Sequence, residues 1–250
     1  MPAILETAGL RKAFGGIVAV DNVALSIPVP GIYGLIGPNG AGKTTLFDVI
    51  CGRQLPDRGT IRFEGQPIET LRVHQRAGLG FSRTFQECRV LVEETCLDNV
   101  LFAAQDKRLG SELIQCTTRN AHARQAAMAE ARRLLALVNL ESYADAPAAS
   151  LSYGQRRLLE IVSVLIARPK ILLLDEPASG VNPTLLNTLR DFLRRIYDER
   201  RIVLLIVEHN MEFIMSLASH IVVMHQGQIL AQGAPAEVRA DARVIEAYLG

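Results

Sequence analysis

The residues best suited to chemistry stand in one glycine-rich segment, Gly37–Thr45, which reads GPNGAGKTT. The apolar stretch Gly31–Ile36 precedes this segment and the helical-looking LFDVICG follows it, which is the strand-to-helix setting of a phosphate-binding loop. Small residues let backbone N–H groups close around phosphate oxygens, and the following helix presents its positive dipole end to the same anion. Lys43 would reach the β- and γ-phosphates of a nucleotide, and Thr44 would place a hydroxyl on Mg²⁺. We therefore predict a nucleotide loop made of Gly37, Pro38, Asn39, Gly40, Ala41, Gly42, Lys43, Thr44 and Thr45.

Two adjacent carboxylates follow the aliphatic run Ile171–Leu174. Four consecutive aliphatic residues are typical of a central strand that is buried on both faces, so its end delivers Asp175 and Glu176 to the carboxyl edge of a sheet. Asp175 can hold Mg²⁺, and Glu176 can orient or deprotonate the water that attacks a γ-phosphate. A solvated acidic turn would be the simpler interpretation for this pair alone, but the phosphate loop in the same chain favours catalysis.

A third segment, Leu151–Gln155 (LSYGQ), ends twenty residues upstream of Asp175. Ser152 stands where the N-cap of the following helix is expected, and a helix start with Ser152 and Gly154 exposed is a second anion site. A plain N-cap would explain the pentapeptide alone. With a phosphate loop present, the simplest use for both helix starts is one nucleotide shared between two copies of the chain.

Composition excludes several classes of protein. The 250 residues are 49% hydrophobic and 21% charged, and the net charge of +1 provides no overall field that would attract nucleic acid or lipid. The longest apolar runs, such as Ile202–Val207, are far shorter than the ~20 residues of a membrane span, and no signal peptide is evident. We expect a reduced cytosolic chain with inert packing thiols, because the cysteines show neither zinc nor disulfide spacing; they are Cys51, Cys88, Cys96 and Cys116.

Hydrophobic patterning predicts apolar strands that alternate with helices. Strands are predicted at Ile4–Gly9, Ile17–Val20, Val23–Ile27, Ile32–Ile36, Thr60–Glu64, Ile171–Leu174, Ile202–Val207, Ile221–Met224 and Gln228–Ala231. Helices are predicted from Lys43 to about Gly52, at Gln155–Ala167 and at Pro183–Tyr197. Strand signals vanish between about Glu87 and Ala149, where helical spacing predicts an inserted lobe.

The three motifs GPNGAGKTT, LSYGQ and ILLLDEP, in this order and spacing, resemble the ATP-binding subunit of ABC transporters over essentially the whole chain. The resemblance implies ATP and Mg²⁺ as cofactors and a head-to-tail dimer, in which Ser152, Gly154 and Gln155 of one copy meet the ATP on the other copy's loop. It also implies that Gln86 (RTFQ) touches Mg²⁺ or its water and that His209 (IVEHN) contacts the γ-phosphate.

The same resemblance implies two further assignments. Phe14 in KAFGG would stack on adenine, and Ser179–Asn182 would form the loop that crosses the dimer interface. Taken singly, Phe14 would more often be a core residue, Gln86 a surface polar group and His209 a strand-end histidine; only the ordered set outweighs those interpretations.

Within this family, RTFQ, LSYGQ, VNP, VEHNM and the ending VIEAYLG resemble the LivG-type ATPases of the branched-chain amino acid importer group, whose features amide and urea importers share. Three departures stand out: Tyr153 replaces a glycine of the broader signature, Asn182 replaces a frequent aspartate, and Cys88–Val100 lacks an expected Phe-Pro-Glu-Leu-Thr run.

The expected fold is α/β: a P-loop (RecA-like), mostly parallel sheet core with an antiparallel β subdomain and an inserted α-helical lobe. We expect one ABC ATP-binding domain over 1–250, with the core at about 1–86 and 155–232, the helical lobe at about 87–154 and C-terminal helices at about 233–250. The implied partners are a second ATPase subunit (the same chain or a paralogue), two transmembrane permease subunits and, indirectly, a periplasmic or extracellular substrate-binding protein, with no nucleic acid. The chain would then be cytoplasmic and peripheral on the inner face of the cell membrane.

Other functions compete with import. A soluble ABC ATPase acting on DNA or ribosomes usually carries two cassettes or a long coiled coil, and the segment between loop and signature is too short for a heptad array. A GTPase or kinase would leave LSYGQ unexplained, and no N-K-x-D motif exists. An exporter ATPase of the lipopolysaccharide-extracting type stays open, because it shares length, signature and a similar tail; RTFQ and VEHN favour the importer by analogy.

Overall fold

The computed structural model describes residues 3–84, 88–104 and 118–249. The chain divides into two compact units. The first unit comprises Met1–Arg83, Lys170–Ala178 and Arg194–Gly250, and the second comprises Thr84–Pro169 and Ser179–Leu193.

All the described strands belong to the first unit. They are β1 (Leu5–Phe14), β2 (Ile17–Val23), β3 (Ser26–Ile27), β4 (Gly31–Ile36), β5 (Arg58–Phe63), β6 (Gln66–Pro67), β7 (Phe81–Arg83), β8 (Ile171–Asp175), β9 (Val203–Val207), β10 (His220–His225) and β11 (Gln228–Gly233).

Six of these strands form a sheet in the order β11-β10-β4-β9-β8-β7, in which every neighbouring pair is parallel except β10 and β11. Every residue of the central strands β4, β8 and β9 is buried. Strands covered on both faces read as continuous aliphatic runs, which explains ILLL and VLLIV in the sequence. Because β4, β8 and β9 run in the same direction, their carboxyl ends meet at one edge of the sheet.

A second, antiparallel sheet has the order β2-β1-β5-β6, and β3 also pairs with β1. One hydrophobic core joins the two sheets to the helix that follows the glycine-rich loop, since it contains Leu5, Ile61, Leu173, Leu205 and Phe47. Full burial of such a side chain contributes ~1.5–3 kcal/mol, so this core fixes the helix against both sheets.

The described helices lie between and after these strands along the chain. They are α1 (Lys43–Cys51), α2 (Val73–Gly78), α3 (Cys96–Ala104), α4 (Thr118–Leu137), α5 (Tyr153–Leu165), α6 (Pro183–Arg200), α7 (Met211–Leu217), α8 (Pro235–Ala240) and α9 (Ala242–Leu249). Helices α3, α4 and α5 belong to the second unit, where α5 packs against both others. Within the described residues, none of these helices has the length and apolar character that crossing a membrane requires.

The expected α/β fold, with a mostly parallel sheet, antiparallel strands and helices, is confirmed. Individual bounds differ from the predictions: β1 extends five residues beyond the predicted end at Gly9, and α6 runs on to Arg200. Gly9 has a positive φ of 59°, and the pairing of β1 with β5 shifts register between Ala8 and Arg11. The glycine therefore marks an irregularity within the strand rather than its end.

Candidate nucleotide site

The glycine-rich loop leaves the carboxyl end of β4 and enters α1. Two of its glycines are required by close backbone approach. A Cβ on Gly37, which has a φ of 149°, would lie 2.1 Å from the carbonyl oxygen of Met224, and a Cβ on Gly42, which has a φ of 96°, would lie 2.1 Å from that of Ala19. Both positions therefore require a residue without a side chain.

The start of α1 suits a phosphate. A helix leaves the N–H groups of its first turn without partners inside the helix, and the N-cap residue Gly42 makes no side-chain cap bond to them. The helix has nine residues, from Lys43 to Cys51, and contains no acidic residue in its first turn. An anion fits this chemistry, because backbone donors and the positive end of the helix dipole face the same place.

The Lys43 side chain folds back onto its own loop. Its Nζ donates to the carbonyl oxygens of Gly37 at 2.7 Å and Pro38 at 2.9 Å. Burial lowers the pKa of Lys43, while the nearby Glu176 and Asp175 carboxylates oppose that shift. The loop carbonyls and the nearby carboxylates thus hold the ammonium inside the loop, where an anionic ligand would meet a positive charge.

Asp175 ends β8 and is 2% exposed. Its Oδ2 accepts a hydrogen bond from Arg83 Nη2 at 2.8 Å, and the same guanidinium also pairs with Asp48 on α1. Burial alone would lower the pKa of Arg83, but Cys51, Asp48 and Asp175 more than offset it, so this pKa lies above its ordinary value. The guanidinium therefore stays charged and ties β7 to α1 and β8.

Mg²⁺ prefers hard oxygen ligands, and the candidate donors fit it. Thr44, with its hydroxyl, lies in the first turn of α1, and Asp175, with its carboxylate, ends β8; these two elements pack against each other. A hydroxyl, a carboxylate and phosphate oxygens together form the donor set that this ion selects.

Glu176 and His209 form the next part of the site. His209 Nε2 lies 3.2 Å from Glu176 Oε1, and both side chains are partly exposed. Glu176 has a φ of 46°, and its backbone N–H donates to the Val207 carbonyl at 2.9 Å. A positive φ is uncommon outside glycine and is found at functional sites, and here it turns the chain immediately after Asp175.

Phe14 lies at the end of β1 and is 44% exposed. The Nζ of Lys12 is 5.4 Å from the centre of its ring. Phe14 is therefore not a core residue, and the exposed face of its ring can stack on a planar base.

The predicted segment Leu151–Gln155 (LSYGQ), the signature segment of the family that the sequence resembles, lies in the second unit at the start of α5. Ser152 is its N-cap: the hydroxyl accepts the Gln155 N–H at 3.3 Å, and Gln155 Oε1 accepts the Ser152 N–H at 2.9 Å. Ser152 is thus the N-cap residue that the sequence predicts, and the pair forms a capping box. The Tyr153 ring lies over Gly180, where a Cβ would be 2.8 Å from a ring carbon.

Gln86 lies outside the described residues. Asn182, in the predicted interface loop, accepts the Leu185 N–H through its side chain at 3.0 Å near the start of α6.

A parallel sheet with a glycine-rich loop between β4 and α1 defines a phosphate-loop nucleotide-binding protein of the α/β class. Comparison with known families narrows this class. The chain matches the ABC transporter family over residues 20–179 and belongs to it; it is an ABC-type ATP-binding cassette with ATP hydrolysis as its activity. Residues 228–250 also match the family described as branched-chain amino acid ATP-binding cassette transporter.

Individual relatives resemble nearly the whole chain. The high-affinity branched-chain amino acid transport ATP-binding protein BraF of Pseudomonas aeruginosa is 40% identical over 250 residues, with 99% of this chain and 98% of the relative covered. The corresponding protein LivG of Escherichia coli K12 is 38% identical with the same coverage. The crystal structure of MJ1267 in its ADP conformation, an ATP-binding cassette of an ABC transporter, is 32% identical, covers 100% of both chains and has a TM-score of 0.85.

Proposed function

We propose that this chain is the ATP-hydrolysing subunit of an ABC importer for branched-chain amino acids or related amides and urea. The names of BraF and LivG support this substrate class. The observation that carries the catalytic part is the meeting of the glycine-rich loop, the Asp175–Glu176 pair and His209 at the carboxyl ends of the adjacent parallel strands β4, β8 and β9.

In the proposed reaction, Lys43 and the loop amides hold the phosphates of ATP, and Phe14 stacks on adenine. Thr44 and Asp175 would hold Mg²⁺, and Gln86 would touch the ion or its water. Glu176 orients or deprotonates the attacking water, and His209 contacts the γ-phosphate. When bound, Mg²⁺ neutralises charge on the phosphate oxygens.

The proposed assembly is a head-to-tail dimer, with a second copy or a paralogue, around two ATP molecules. Ser152, Gly154 and Gln155 of one subunit complete the site on the other subunit's loop. ATP closes this dimer, and closure switches the two permease subunits to the conformation that opens to the opposite side of the membrane. Hydrolysis then reopens the dimer. The chain works on the inner face of the membrane, and an extracytoplasmic binding protein delivers the cargo to the permeases.

Glu176→Gln tests the assignment of the base. The amide keeps the shape of the side chain but cannot accept the proton of the attacking water, so ATP binding stays intact, hydrolysis falls about 100-fold or more and dimers accumulate with Mg-ATP. Phosphate release and light scattering measure these outcomes. Hydrolysis near the parent rate would contradict the assignment.

Glu199→Gln is the matched control. Its carboxylate forms an exposed ion pair with Arg195 at 2.9 Å on α6, an interaction worth little in water. We expect both its ATPase rate and its oligomeric state to match the parent chain.

A further inference from the structure

Glu208 is a buried carboxylate to which neither the sequence motifs nor the proposed reaction gives a role. It follows β9 directly, as Glu176 follows the neighbouring strand β8, and it is 2% exposed. Acidic side chains are rarely buried to this extent without partners that compensate for the lost water.

The carboxylate accepts three backbone hydrogen bonds from two different loops. Its Oε1 accepts the N–H of Ala178 at 2.6 Å, and its Oε2 accepts the N–H groups of His209 at 3.0 Å and Asn210 at 3.1 Å. Ala178 lies two residues beyond Glu176, so one side chain bridges the loop that carries the proposed base and the loop that carries the proposed γ-phosphate contact.

The surrounding bonds make this bridge stiff. The Glu176 N–H donates to the Val207 carbonyl at 2.9 Å, and the Asn210 side chain caps α7 by accepting the Phe213 N–H at 3.0 Å. Burial raises the pKa of Glu208, the three backbone donors lower it in part, and the Glu176 carboxylate raises it further.

We propose that Glu208 is a positioning residue for ATP hydrolysis, which holds the Glu176 loop and the His209 loop at a fixed separation through backbone hydrogen bonds. The inference rests on the proposed roles of Glu176 and His209. Glu208 itself touches no reacting atom; it acts by keeping the base and the histidine in register with the phosphate that both address.

Glu208→Gln tests this role because the amide has nearly the same shape but only one acceptor oxygen. Whichever way it turns, its NH₂ group faces a buried backbone donor, and one of the two loops loses its anchor. For the full-length chain we expect kcat to fall roughly 10- to 100-fold, while the Kd for ATP, measured by calorimetry, stays within about threefold of the parent.

Two further variants sharpen the test. Glu208→Asp keeps both acceptor oxygens on a shorter stem, so its kcat should lie between those of the parent and Glu208→Gln; it supplies the same test if the glutamine variant does not fold. Glu237→Gln is the matched control, since that carboxylate also accepts a backbone N–H, that of Ala234 at 2.9 Å, but does so at the exposed start of α8. We expect the control to hydrolyse ATP at the parent rate.

A combined variant separates positioning from plain destabilisation. If Glu208 works through Glu176 and His209, adding Glu208→Gln to a variant that already carries Glu176→Gln and His209→Ala should lower the residual rate by less than about threefold, because residues that act as a unit are not additive. A full multiplicative loss, or a drop in melting temperature with parent kcat, would overturn the proposal.

The same experiment distinguishes this inference from the proposed function. Parent activity in Glu176→Gln would remove the proposed base itself. An inactive Glu176→Gln beside a fully active Glu208→Gln would leave the base in place and overturn only the positioning role.

Discussion

The starts of α1 and α5 are both helix N-termini of the kind that bind anions, yet they are built differently. At α1 the N-cap is Gly42, which makes no side-chain cap bond, and Lys43 folds onto its own loop. At α5 the N-cap is Ser152, and its reciprocal bonds with Gln155 complete a capping box. The first start leaves its donors for a ligand, whereas the second satisfies donors within its own helix.

This difference assigns the two starts different work in the proposed dimer. In the proposed dimer, the open start with its lysine would bind the triphosphate by itself, because its backbone amides and the Lys43 ammonium are available to phosphate oxygens. A capped start would contribute little affinity alone, and in the proposed dimer its Ser152 hydroxyl would act on a nucleotide that the other subunit already holds. Three substitutions test this difference, and each alters one of the two helix starts.

Lys43→Ala should have the largest effect, because it removes the charge nearest the proposed phosphates. We expect ATP binding to weaken roughly 100-fold or more, about 3 kcal/mol, by calorimetry. Lys170→Ala is the matched control, since that ammonium forms an exposed ion pair with Glu64 at 2.6 Å. Unchanged affinity in Lys43→Ala would contradict the phosphate-loop assignment.

Gly42→Ala should come next, as a loss of stability. The new Cβ would meet the Ala19 carbonyl oxygen at 2.1 Å on a backbone with a φ of 96°, so the loop must move. We expect about 2–3 kcal/mol of lost unfolding free energy by urea denaturation.

The control for that variant is Gly154→Ala at the other helix start. There the added Cβ would lie 2.9 Å from Cδ1 of Leu185, the movable end of a side chain. We expect a loss below about 1 kcal/mol. Equal losses at Gly42 and Gly154 would remove the contrast between the two starts.

Ser152→Ala should have the smallest effect on the single chain. Losing the cap costs about 1 kcal/mol of stability, while ATP affinity stays at the parent value because the loop is untouched. ATPase activity should nevertheless fall about tenfold or more. Ser163→Ala, which removes a mid-helix hydroxyl bonded to the Leu159 carbonyl at 2.8 Å, should leave affinity and activity unchanged.

Secondary-structure features that depend only on neighbouring residues were predicted correctly from the sequence. The aliphatic run before Asp175 predicted a buried strand, and Ser152 predicted an N-cap, because strand burial and capping depend on residues close in sequence. The strand end predicted at Gly9 was wrong, since a glycine in an irregular register resembles a glycine in a turn.

Residues that act through distant partners escaped prediction. Arg83 meets Asp48 and Asp175, which lie 35 and 92 residues away, and no spacing in the sequence shows that these groups converge. Glu208 had a weak signal, an acidic residue directly after a five-residue apolar strand, but its partners are backbone N–H groups, which have no sequence signature.

Mixing Lys43→Ala with Ser152→Ala tests the shared nucleotide site most directly. Each variant alone damages both sites of its dimer, but a mixed dimer holds one site with an intact loop and an intact signature. An equimolar mixture should recover roughly one quarter of the parent ATPase rate, since about half of the dimers are mixed and each has one working site. A mixture that hydrolyses ATP at only the mean rate of the two variants would contradict the account.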